Sequence, residues 1–122
     1  MAAGRPQDTV VVLAPAFQND KLSVEGLDLL GSAYAKLEKP ADAARVLKRA
    51  HERRPDDWQT AMNLGVALSQ SGDLTGAEGV LRPLAAAHPN EPAVLQNLAA
   101  VLQKRGRRAE ADRLLARAEA LR

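Results

Sequence analysis

The side chains in this chain that are equipped for chemistry are few. They are two histidines, one pair of adjacent aspartates, two asparagines in matching settings and one run of cations. His51 and His88 stand in no metal-binding spacing such as H-x-x-x-H with a third ligand, so a packing or surface role is expected and no metal. Asp56 and Asp57 form a carboxylate pair, but they immediately precede a helical pattern, where an aspartate's better use is to cap the helix. There is no cysteine, which excludes disulfides, thiolate metal sites and cysteine nucleophiles. No G-x-S-x-G elbow and no phosphate-cradling glycine loop is present. The expectation is a chain with no catalytic residue and no cofactor.

Asn63 and Asn97 are more suggestive. They occupy equivalent places, each just before a Leu-Gly or Leu-Ala pair. An amide side chain offers donors and acceptors together, so it can bond the backbone of an extended peptide without reading its sequence. The plainer reading is that both face water. The cations Lys104-Arg105-Gly106-Arg107-Arg108 could meet phosphates or an acidic partner, but a solvated turn near a helix C-terminus, where the dipole favours cations, explains them better. Trp58 is read as packing against the Pro55 turn rather than as an exposed anchor.

Composition narrows the classes. The formal charge is only +2 although the pI is about 9.3, and acids and bases alternate through most of the chain. That argues against a broad nucleic-acid footprint. No apolar run reaches the length of a bilayer span, and Arg5 with Val10–Leu13 makes a poor secretory signal, so membrane insertion is not expected and the cytoplasm is the expected compartment.

The elements that position these residues follow from one period. Leu30-Gly31 recurs as Leu64-Gly65 and again, after an equal step, as Leu98-Ala99. Tyr34, Leu68 and Leu102 keep the same step, as do Ala43, Ala77 and Ala111, then Leu47, Leu81 and Leu115, then Pro55 and Pro89. Fixed periods of roughly 20–50 residues mark solenoids, whose units stack only on their neighbours. Each unit reads as two helices. Leu27, Leu30, Tyr34 and Leu37 recur at three and four, which predicts a helix over 24–37. A second, over 41–53, carries Ala43, Val46, Leu47 and Ala50, with Pro40 suited to its first turn. The next helices are expected over 58–71 and 74–87, then 92–105 and 108–121. Gly72 and Gly106 mark turns, and Asp73 is a cap. Pro15 and Pro83 fall inside expected helices, and a kink is expected near Gly79–Pro83.

Leu30-Gly31-x-x-Tyr34, Ala43-x-x-x-Leu47 and Pro55 together resemble the tetratricopeptide repeat, over about residues 24–122. The departures are changes of size within an apolar layer: Leu27, Ala61 and Leu95 replace the early aromatic, Ala99 stands at the third small site, and Leu68 and Leu102 replace the tyrosine. The resemblance implies an all-α fold, a right-handed superhelical stack of antiparallel helix hairpins (an α-solenoid). The units are 24–57, 58–91 and 92–122. Residues 1–23 fit the same register through Gly4, Pro6 and Pro15, so 6–18 reads as the second helix of a partial unit, the alternative being a frayed leader. Val10, Val12 and Leu13 would then cover Leu27 and Leu30 or seek another chain.

The resemblance further implies that first-helix residues facing away from the second helix line a concave groove. These are Glu25, Asp28, Leu29 and Ser32, then Gln59, Met62, Asn63, Val66 and Gln70, then Ala93, Gln96, Asn97, Ala100, Gln103 and Lys104. One subclass of the family clamps the C-terminal carboxylate of chaperones with cations. Here only Asn63 matches that pattern, and Asp28, Ala93 and Asn97 stand at the cationic places, so that ligand is rejected. The implied function is a non-catalytic interaction module holding a near-neutral extended segment or a helix of a partner protein. Two rivals are end-to-end self-association through the N-terminal partial unit, and a regulatory piece of a larger enzyme or secretion protein. The last helix, with Leu114, Leu115 and Ala118 inward and Arg113, Arg117 and Arg122 outward, reads as a terminal cap.

Overall fold

A computed structural model describes residues 5–121; Gly4 and Arg122 lie outside the described residues. Seven helices follow one another among those residues: α1 Pro6–Gln18, α2 Val24–Lys36, α3 Pro40–Arg53, α4 Trp58–Gln70, α5 Leu74–Ala87, α6 Pro92–Lys104 and α7 Arg108–Ala120. Short turns join them, so successive helices run antiparallel and α2/α3, α4/α5 and α6/α7 form hairpins stacked side by side, an α-solenoid.

Local chemistry sets the helix ends. Ser23 Oγ accepts from Gly26 N–H at 3.1 Å, and Asp57 Oδ1 accepts from Gln59 and Thr60 N–H at 3.1 and 3.3 Å. Asp73 Oδ1 accepts from Gly76 N–H at 2.8 Å. Each cap satisfies a donor that the first helical turn leaves free. Of the two neighbouring aspartates, only Asp57 caps. Pro40 and Pro92 open α3 and α6, where a missing N–H costs nothing. Within hairpins the chain reverses through left-handed residues: Glu38 at φ 58°, Gly72 at φ 95° and Gly106 at φ 81°. Helix α5 continues as one helix through Pro83.

The core is a Leu/Ala ladder. Leu27, Leu30, Val46 and Ala50 form one cluster, with Val10, Leu13 and Phe17 of α1 packed against it. Leu81, Leu95, Leu98, Leu102 and Ala111 belong to another. Burying one such leucine fully contributes about 2–3 kcal/mol. Glycine allows the hairpins to close tightly: a Cβ at Gly31 would stand 2.8 Å from Leu47 Cδ2, and one at Gly65 would stand 2.6 Å from Leu81 Cδ2. Of the three α1 residues read as covering the stack, Val10 and Leu13 do so; Val12 points outward, 70% exposed, beside Val11 at 74%. Spacings of three and four explain this, since Val10, Leu13 and Phe17 share one face of α1.

Candidate functional site

The first helices of the hairpins, α2, α4 and α6, stand in sequence along one side of the stack. Gly31, Gly65 and Ala99 turn toward their own second helices. The residues one and five places later, Ser32/Lys36, Val66/Gln70 and Ala100/Lys104, therefore meet at the seams between hairpins. The α2–α4 seam holds a recess of ≈ 320 Å³ lined by Ser32, Ala35, Lys36, Asn63, Val66 and Gln70, with Gly31, Leu47 and Ala67 at its floor. The α4–α6 seam holds one of ≈ 180 Å³ lined by Val66, Ser69, Gln70, Leu81, Asn97, Ala100 and Lys104. The two recesses share Val66 and Gln70, so they abut as one trough with an asparagine in each half.

Of the residues read from the sequence, Ser32, Asn63, Val66, Gln70, Asn97, Ala100 and Lys104 line this trough. Asp28, Gln59, Gln96 and Gln103 line neither recess. Asp28 Oδ1 instead lies 3.5 Å from Thr60 Oγ1 on α4. Burial first, then the negative charge of Asp57, raises the Asp28 carboxyl above the ordinary aspartate value. Glu25 is held below its ordinary value by a backbone hydrogen bond and by Arg54, whose Nη2 donates to Oε2 at 2.9 Å.

Lys36, Ala35 and Ser69 also line the trough and were not picked out from the sequence. The period contains them: one step back from Gln103 reaches Ser69, and two steps back from Lys104 reach Lys36. Lys104 Nζ donates to Ser69 Oγ at 3.2 Å. Lys36 has no hydrogen bond or ion pair among the described residues, so the trough carries one cation engaged with the wall and one open to a guest.

Two arginines of the basic run, Arg105 and Arg107, are occupied within the molecule. Arg105 donates to Thr75 Oγ1 at 3.0 Å and lies 3.4 Å from Glu78, and Arg107 pairs with Glu78 at 3.1 Å. Arg82 bridges Glu78 at 2.8 Å and Glu110 at 2.6 Å. The Arg82 guanidinium holds both carboxyls below their ordinary values, and Arg107 and Arg105 add to the effect at Glu78. Arg105 and Arg107 are thus tied to an acid, while Arg108 has no hydrogen bond or ion pair among the described residues.

No group of three or more His, Cys, Asp or Glu side chains able to hold a metal occurs among the described residues. Nor is any described helix long and apolar enough to cross a membrane. Away from the trough, His51, Asp56, Trp58 and His88 do come together, in a recess of ≈ 390 Å³ between the α3–α4 turn and α5. The Trp58 and His88 rings stand 5.6 Å apart, tilted by 37°. Trp58 also borders Pro55 there, in keeping with a packing role.

Comparison with known proteins follows this geometry. Two family models, both described as tetratricopeptide repeat, match residues 29–92 and 93–122. No curated protein sequence matches the chain. Among solved structures, MamA MSR-1 aligns over 97% of this chain and 68% of its own, at 23% identity and a TM-score of 0.84. MamA AMB-1 aligns over 98% and 70%, at 24% identity and a TM-score of 0.85. YrrB, a tetratricopeptide protein with an unusual peptide-binding site, aligns over 96% of this chain and 60% of its own, at 20% identity and a TM-score of 0.87. At these identities the shared property is the fold.

Proposed function

The chain belongs to the tetratricopeptide repeat family, and on that premise we propose that it is a non-catalytic protein-interaction scaffold whose α2–α4–α6 side holds an extended segment of a partner protein. The continuity of the trough carries this reading: two abutting recesses share Val66 and Gln70 and present Asn63 and Asn97 one repeat apart. Two asparagines at that spacing suit a guest backbone running across the seams. Lys36 adds a requirement that the amides do not, namely an acidic group on the guest near the α2 end. A solenoid holds these groups in place before binding, so little ordering cost falls on this side. YrrB supports the reading as a related fold with a peptide-binding site. In this reading the repeats are 24–57, 58–91 and 92–122, and α1 is the second helix of a preceding unit.

The test is capture of partners from a lysate by the native chain and by Asn63→Ala/Asn97→Ala, with Lys36→Glu alongside. Loss of the same partners from both variants, with helicity unchanged, is the expected outcome. If the variants keep every partner, the trough is not the site.

A second reading has its own observation. Val11 and Val12 are 74% and 70% exposed at one end of the stack, an apolar pair that a second copy of the chain would cover. Light scattering over a hundredfold range of concentration tests it. A constant monomer mass excludes association through α1.

A further inference from the structure

The outer side of the second helices breaks the period in one place. At the positions where α5 carries Gly79, Pro83 and Ala87, the preceding unit has Arg45, Arg49 and Arg53 on α3. The following unit has Arg113 and Arg117 on α7 at the first two of these. In the flanking units Arg49, Arg53 and Arg117 reach over the turn that joins one hairpin to the next, while Arg45 pairs with Asp42 on its own helix. Arg49 Nε donates to Asp20 Oδ1 at 3.1 Å, and Arg53 Nη2 to the same atom at 3.0 Å. Arg53 also donates to the Leu22 carbonyl, and Arg117 Nη2 donates to the Pro89 carbonyl at 2.8 Å. In the middle unit the same place is the ≈ 390 Å³ recess over the Pro55-Asp56 turn, and Gly79 and Pro83 are part of its wall.

The wall of that recess is short of a cation. The Asp56 carboxylate has no ion pair among the described residues, and Arg54, two residues before it, is engaged with Glu25 at 2.9 Å. Pro55 is the counterpart of Pro89, whose carbonyl accepts from Arg117. His51 Nδ1 is buried without a hydrogen-bond partner. A buried polar atom left in that state costs roughly 1–3 kcal/mol, and an imidazole carrying its proton on Nε2 offers Nδ1 as an acceptor. Trp58, tilted on His88, supplies an aromatic face suited to a flat cation.

We propose that this recess receives one arginine side chain of a partner protein, in the place that Arg49 and Arg117 fill in the flanking units. The occupant is identified by the chain's own repeats: the turn between hairpins takes a guanidinium on either side, through Asp20 and the Leu22 carbonyl before and through the Pro89 carbonyl after. The planar fork can meet a carboxylate and a carbonyl together and stack on Trp58, which the compact ammonium of lysine cannot do. The site lies on a different side of the stack from the trough and does not depend on it.

Trp58 is the only tryptophan in the chain, so its emission reports on this recess alone. The probe is the peptide acetyl-Gly-Arg-Gly-amide, titrated into the full chain beside the same peptide with citrulline, a neutral isostere, in place of arginine. A saturable change is expected with arginine, with affinity at least about tenfold weaker for citrulline and for arginine with Asp56→Asn. Pro83→Arg supplies the chain's own guanidinium and should abolish the response while helicity is retained. Gly79→Arg is the second variant, since a Cβ there meets no atom within 4 Å. The Trp58 indole N–H cross-peak in an NMR titration provides the parallel readout. No shift by either method, equal binding of citrulline, or an undiminished response in folded Pro83→Arg and Gly79→Arg would each overturn the assignment.

Discussion

In the second hairpin Leu81 is fully buried against Gly65, whereas its counterpart Leu115 in the third, beside Ala99, is 36% exposed. Both leucines hold the same place in the repeat relative to their small partner, on the inner face of a second helix. They differ in what is stacked above them. Leu81 shares its cluster with Leu102 and Ala111 of the next hairpin, while no described helix lies over Leu115. In a solenoid a residue's contribution therefore depends on its neighbours in the stack as well as on its own hairpin.

The largest effect expected from this difference is in truncation. Leu81→Ala should cost about 3–4 kcal/mol, and Leu115→Ala about 1 kcal/mol or less. Urea unfolding of the two variants measures both. Equal losses would mean that the third hairpin is as well covered as the second.

The small positions sharpen the same contrast. Alanine for glycine inside a helix ordinarily stabilises, by up to about 1 kcal/mol. Gly65→Ala should do the reverse and cost about 2 kcal/mol, because its Cβ would come within 2.6 Å of Leu81 Cδ2 and Cγ. Ala99→Gly should also cost, by about 1 kcal/mol, from helix propensity alone. Pairing Gly65→Ala with Leu81→Ala should cost less than the sum of the two, since the second substitution removes the atoms that the first one strikes. Additive losses would place the strain elsewhere.

The fold was legible because the period is written in residues whose size or backbone is constrained. Leu30-Gly31, Leu64-Gly65 and Leu98-Ala99 locate the first helices, Pro92 marks the start of the last of these, and Pro40 and Asp73 locate the starts of two others. About half of the trough was legible for the same reason. Lys36 escaped because a lysine at the end of a helix usually serves the dipole, and only the repeat register ties it to Gln70 and Lys104. Asp28 was placed in the groove by its helical position, yet its carboxyl lies near Thr60 across the seam. The recess at Trp58 was not legible from motifs at all. It exists because Gly79, Pro83 and Ala87 lack the side chains that arginine supplies in α3, and a missing side chain shows only when repeats are set against each other.

The hairpin turns extend the comparison at smaller scale. The same left-handed position is Gly72 in the second hairpin, Gly106 in the third and Glu38 in the first, at φ 58°. A side chain in that conformation costs about 1–2 kcal/mol, partly offset by the larger entropy that glycine loses on folding. Glu38→Gly should therefore raise stability by about 0.5–1 kcal/mol, and Gly72→Glu should lower it by a similar amount. A Glu38→Gly variant no more stable than the native chain in urea would show that the first turn draws compensation from its surroundings.

The smallest expected effect lies at Asp28, whose counterparts one and two units later are the uncharged Met62 and Gln96. Its carboxyl is raised above the ordinary aspartate value by burial and by Asp57, so the folded chain favours the protonated form. The stability this group confers is thus fully present below the unfolded-state value and is lost as pH rises through the folded-state one. At pH 7 the ionised Asp28 works against folding, and Asp28→Asn should raise the urea midpoint slightly, by a fraction of a kcal/mol at most. At pH 3 both side chains are neutral and the advantage should vanish. A gain that persists at pH 3 would trace the effect to the amide's contact with Thr60 rather than to charge, and no gain at pH 7 would mean that the Thr60 hydroxyl already offsets the burial.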